Sequence, residues 1–115
     1  MVILSGQLGS GKTVLTKGIA LGIGIDEVVT SPSFAIMNLY QGSLGLCHAD
    51  FYRIGDRREM EDLLEDYLYH ERYVTVIEWG ESLLETLLSY LYIRIDIMDD
   101  HRVLTFEKRD SAAYT

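Results

Sequence analysis

Gly6-Gln7-Leu8-Gly9-Ser10-Gly11-Lys12-Thr13, or GQLGSGKT, decides how the rest of the chain is read. It matches the phosphate-cradling pattern Gly-x-x-x-x-Gly-Lys-Thr. Glycines let the backbone curl without Cβ clashes, so successive N–H groups converge on one anion. The helix expected to follow aims its positive end at the same point. Lys12 is placed to reach the β- and γ-phosphates of a nucleotide, and the Thr13 hydroxyl to meet Mg²⁺. At ordinary residue frequencies a chance match in a chain this short is on the order of one in a hundred or less. The flanks agree. Met1 to Leu4 is an apolar run that reads as a strand, and Val14, Leu15, Ile19, Ala20 and Ile23 recur at helical spacing, with Gly24 as the stop.

Working outward, Ser31-Pro32-Ser33 reads as a loop. Phe34 to Tyr40 and Leu44 to Ala49 read as a hairpin around Gln41-Gly42-Ser43. Met60, Leu63, Leu64, Tyr67 and Leu68 lie at i, i+3, i+4, i+7 and i+8, which predicts an amphipathic helix. Its other face carries Glu59, Glu61, Asp62, Glu65 and Asp66, either a solvated surface or a dock for a basic partner. Tyr73 to Ile77 is β-branched and aromatic, a buried strand that ends at Glu78. Ser82 and Glu85 have capping-box spacing, which predicts a third helix striped by Leu83, Leu84, Leu87 and Leu88. Alternation from Leu91 to Ile97, a turn at Asp99-Asp100-His101 and a return over Arg102 to Glu107 predict a C-terminal β-hairpin. The expected fold is α/β: a P-loop NTPase-like mixed sheet flanked by helices, closed by that hairpin, in one domain of 115 residues.

Composition narrows the function. Eighteen acids against ten bases leave a net charge of −8, and no basic stripe supports strong binding of RNA or DNA. No apolar run approaches the roughly 20 residues needed to span a bilayer. The start of the chain lacks the basic head and cleavage site of a signal peptide. A single cysteine excludes an internal disulfide, and Cys47 sits in an apolar run as a small buried hydrophobe. A reducing, cytoplasmic setting fits.

A P-loop implies a nucleotide triphosphate. Guanine readers use Asn-Lys-x-Asp, whereas the single Asn38 is followed by Leu-Tyr-Gln, so ATP is favoured. Magnesium chemistry further calls for an acid at the end of a buried strand. Glu78 in VTVIEW fills that place, where Asp is more usual. Asp50 in HAD is a second candidate, the alternative being a turn or helix cap. His48 lies two residues before it, on the same side of that strand, either near the site or as a buried histidine satisfied by backbone.

In order, GQLGSGKT, TSPSF at 30–34, Tyr40, HADFYR at 48–53 and IEWGE at 77–81 resemble the bacterial TsaE (YjeE) family over nearly the whole chain. The resemblance implies a small ATPase of tRNA threonylcarbamoyladenosine biosynthesis. It serves a TsaB–TsaD protein pair that modifies adenosine 37 of tRNA, and it does not perform the transfer. The resemblance implies that Gly6, Leu8, Gly9, Ser10, Gly11, Lys12, Thr13 and Val14 hold the phosphates of ATP or ADP. It also implies that Thr13, Asp50 and Glu78 lie on the magnesium side, that Lys12, Asp50 and Glu78 carry catalysis, and that the loop Ser31 to Phe34, with Ser33, lies near the γ-phosphate. Trp79 then either walls the nucleotide site, meets a partner or simply packs. Arg53 either stabilises phosphate charge or pairs with a surface acid.

Three departures stand out. Gln7 replaces an acid, and Ser33 replaces the family's Thr, which is stiffer at χ1. Family members also carry a strand and a helix ahead of the P-loop, and the chain here begins almost at the loop. That leads to the expectation of an open sheet edge and self-association. Two other function classes stay open. One is a small-molecule kinase, for which Arg57-Arg58 is the only candidate lid pair. The other is a nucleotide-dependent interaction module without turnover.

Overall fold

The computed structural model describes residues 1–7, 9–32 and 35–110. Leu8, Ser33 and Phe34, named above, lie outside the described residues. Six strands form one sheet: β1 (Val2–Gly6), β2 (Met37–Tyr40), β3 (Gly45–Asp50), β4 (Tyr73–Glu78), β5 (Ser89–Ile97) and β6 (Arg102–Asp110). Their order is β2-β3-β4-β1-β5-β6. The central four run parallel, and β2 and β6 are antiparallel edges. Helices α1 (Lys12–Gly22) and α2 (Arg57–Leu64) flank the sheet. The mixed α/β sheet and its C-terminal hairpin are as expected.

Adjacent residues of β1 explain the layering. Ile3 and Leu4 are both fully buried but point to opposite faces. Ile3 packs with Cys47, Ala49, Ile77, Met60 and Leu64 beneath α2. Leu4 packs with Leu46, Val76, Ile93, Ile95 and Ala20 beneath α1. A central strand covered on both faces reads as a continuous apolar run, which is why all six residues of β3 are buried. Cys47 belongs to that core. Burial pushes its thiol up to about 12, leaving it neutral and inert.

Two helix expectations are corrected. α2 begins at Arg57, with the Asp56 carboxylate accepting from the Arg58 N–H at 2.9 Å, and ends at Leu64 rather than Leu68. Turns continue the same face, so Tyr67 and Leu68 still pack on the core. They finish at Tyr69 with φ 57°. The helix expected at Ser82 is only a 3₁₀ turn, Glu81–Leu83, and its N-cap is Gly80 with no side-chain bond. Ser82 Oγ points instead to Met60 Sδ at 3.4 Å. With Ser82 turned to Met60 and not capping, the capping box that would start a helix is not formed, and short turns still bury Leu83 and Leu87. The C-terminal hairpin is longer than expected, starting at Ser89 and running to Asp110, and every residue of β6 is exposed.

Candidate functional site

The turn from β1 into α1 is made by glycine. A Cβ on Gly6 would sit 2.6 Å from Ser10 Oγ and 2.8 Å from the Ile95 carbonyl, so backbone and side chains close tightly there. Gly9 and Gly11 take φ of 80° and 110°, values that side chains disfavour, and both face open space. The result is a cradle with room inside it. Ser10 beside it is buried, and its Oγ has no hydrogen-bond partner among the described residues.

Lys12 folds back into this cradle. Its Nζ donates to the Gly6 carbonyl at 2.7 Å and lies 4.7 Å from the centre of the Trp79 ring. The residue is only 7% exposed, yet none of the ion pairs among the described residues includes it. A buried ammonium offset only by a carbonyl dipole and a ring face is costly, and an anion in the loop would complete it.

Across from the loop, the parallel register of β3 and β4 sets Asp50 opposite Glu78 at the carboxyl ends of both strands. Asp50 Oδ1 accepts from the Tyr52 N–H at 3.0 Å. Trp79 follows in a left-handed conformation, φ 60°, and stacks edge-on with Tyr52 at 5.0 Å between ring centres. A left-handed aromatic residue is costly, and such strain concentrates at functional sites. Gly80 then closes against Ile77, where a Cβ would come within 2.6 Å of Cγ2.

These elements surround one cavity of about 350 Å³, lined by Gly9, Gly11, Lys12, Thr13, Val14, Ser31, Asp50, Glu78 and Trp79. The site residues expected from sequence therefore meet, with particular exceptions. Gly6 and Ser10 support the cradle from outside the lining. Leu8 and Ser33 lie outside the described residues. Arg53 does not line the cavity. Arg57 and Arg58 open α2, where Arg57 pairs with Glu61 at 3.7 Å and Glu85 at 3.8 Å, so they form no lid over the loop.

Two contacts escaped the sequence reading. His48 is fully buried, and its Nε2 lies 2.7 Å from Glu78 Oε2. It is satisfied by a carboxylate and not by backbone; the shared face with Asp50 was the available signal. Arg102 on β6 donates from Nε to the Ser10 carbonyl at 3.3 Å, bracing the loop from 92 residues away, and nothing local announced it.

Among the described residues, no three His, Cys, Asp or Glu side chains cluster closely enough to hold a metal alone. The donors at the cavity are a hydroxyl and carboxylates. Such hard oxygens fit a magnesium ion that takes its remaining ligands from phosphates and water.

Comparison with known proteins agrees with the motif order. The sequence profile of the family described as "Threonylcarbamoyl adenosine biosynthesis protein TsaE" matches residues 1–109. A tRNA threonylcarbamoyladenosine biosynthesis protein TsaE of Treponema pallidum is 38% identical, over 91% of this chain and 79% of its own length. That of Bacillus subtilis is 43% identical over 92% and 68%. The crystal structure of YdiB from Bacillus subtilis superimposes with a TM-score of 0.74 at 34% identity, covering 98% of this chain and 70% of that one. Together with the glycine cradle and the acid-ended strands, these matches make the chain a member of the TsaE family of threonylcarbamoyl adenosine biosynthesis proteins.

Proposed function

We propose that the cavity binds Mg-ATP and hydrolyses it slowly, in support of a TsaB–TsaD pair that makes threonylcarbamoyladenosine at position 37 of tRNA. The observation that carries this reading is the buried Lys12 inside a glycine cradle, in no ion pair among the described residues and sharing its cavity with two acids at strand ends. In the proposed complex the amides of the loop and Lys12 grip the phosphates, with Val14 beside them. Thr13 and Asp50 face the cation, and Glu78 faces the cation or the attacking water. Magnesium, when bound, neutralises phosphate charge. Phosphoryl transfer asks little covalent chemistry of the protein, so positioning and charge stabilisation carry the rate. Trp79 covers Lys12 and walls the cavity, restricting water there.

Among the described residues, no helix is long and apolar enough to cross a membrane. Work on tRNA in the cytoplasm is the setting this reading proposes. The acidic surface leaves the tRNA to the partners. Calorimetric titration with Mg-ATP tests binding. Phosphate release measured alone and with the TsaB–TsaD pair tests turnover. Slow release that rises with the pair is expected. Binding without release under both conditions would leave an interaction module, and phosphorylation of a small molecule would indicate a kinase.

A further inference from the structure

The mechanism above leaves one buried titratable side chain without a task. His48 sits on β3 and Glu78 on the neighbouring β4. Because His48 pairs with Val76 and Asp50 with Glu78, histidine and glutamate share a sheet face two residues apart across adjacent strands. The imidazole is fully buried, the Glu78 side chain is 6% exposed, and Nε2 lies 2.7 Å from Oε2. The second ring nitrogen, Nδ1, has no hydrogen-bond partner among the described residues.

The ring is therefore oriented by one polar contact among the described residues, and that contact is with the Glu78 carboxylate.

We infer that His48 is a positioning residue for Glu78: through Nε2 it holds Oε2 and leaves Oε1 as the oxygen offered to the cavity. The effect on turnover rests on the proposed ATPase reading; the hold on the carboxylate does not. A carboxylate with one oxygen tied down inside the sheet loses rotational freedom. It then meets a cation or a water in one orientation. Without the histidine, the side chain is free to turn toward Lys12, which lines the same cavity.

Crystal structures of the full chain and of its His48→Leu variant read the Glu78 carboxylate directly. Oε2 against the His48 ring in the wild type and a turned carboxylate in the variant are expected. An unchanged Glu78 orientation in His48→Leu overturns the inference. In turnover assays, His48→Leu should lower kcat by about 10- to 100-fold while KM for ATP stays within about twofold. His48→Gln should recover most of that loss, because its amide N–H can occupy the place of Nε2. A folded His48→Leu with wild-type kcat, or Gln and Leu variants equally impaired, overturns the positioning role. A wild-type chain that turns over no ATP sinks the proposed function instead, and the Glu78 orientation then decides this inference alone.

Discussion

The two walls of the cavity are built by different means. One wall, from Gly9 to Val14, is nearly continuous chain, shaped by left-handed glycines and the first turn of α1. The other wall brings Asp50, Glu78 and Trp79 from the ends of two strands, aligned by the β3–β4 register. The first is a local device that needs only its own residues and an anchored strand. The second exists only when the sheet is formed, and it depends on His48 and Tyr52 behind it. A local wall should fail by losing ligand affinity. An assembled wall should fail by losing geometry, and with it rate.

Lys12→Ala is the hardest test of that contrast. It removes the buried ammonium, and ATP affinity should fall by about 100-fold, roughly 3 kcal/mol, the scale of charged hydrogen bonds to phosphate. Calorimetry reads this directly. Near-normal binding by a folded Lys12→Ala chain would mean that the cradle is not the phosphate site.

Glu78→Ala should behave in the opposite sense on the other wall. Turnover with the partner pair should drop by about 100-fold while ATP affinity changes by no more than about threefold. Equal losses of affinity and rate would erase the distinction between the walls. Normal turnover would remove Glu78 from the mechanism.

Gly6→Ala probes how the local wall is anchored to the sheet. The new methyl meets Ser10 Oγ and the Ile95 carbonyl, and a backbone oxygen of β5 cannot move cheaply. Denaturant unfolding should show a loss of about 1–3 kcal/mol, with nucleotide affinity falling as the loop shifts. An unchanged midpoint would show the loop to be more pliant than its packing implies.

The smallest effect concerns the core both walls share. Cys47 should resist alkylation in the folded chain and react once denatured. Its folded value lies near 12 against a reference of 9.0. The neutral thiol therefore contributes stability in full below pH 9, and that contribution is lost as pH climbs from about 9 toward 12. Ready labelling of folded protein at pH 8 would contradict the burial. Sizing the chain gives a parallel check on its outer edge. β6 is exposed along all nine residues, with Phe106 60% exposed, and some self-association is expected. A strictly monomeric chain at high concentration would show that this edge is protected.

The legibility of these features follows the same division. The P-loop, its strand and α1 were readable because each depends on neighbours in sequence: glycines, a lysine and an apolar period. Glu78 and Asp50 were readable as strand ends, though not as a register-aligned pair. The third helix does not form because a capping box and a leucine stripe report only local preference, and Ser82 turns to Met60 in the folded chain where it would have capped. His48 was visible only as sharing a face with Asp50, and its bond to Glu78 required knowing which strand lies next to β3. Arg102 at the loop carried no local mark at all.

By itself, the sequence determined the anion cradle, the alternation that buries both faces of the central strands, and the order of motifs that places the chain in its family. These rest on backbone freedom and hydrophobic period, which act over a few residues. Only the tertiary structure decided that β4 lies between β1 and β3. That adjacency sets Asp50 against Glu78 and turns His48 onto its carboxylate. Strand neighbours are chosen by the packing of the whole sheet, and no short window of sequence holds that information.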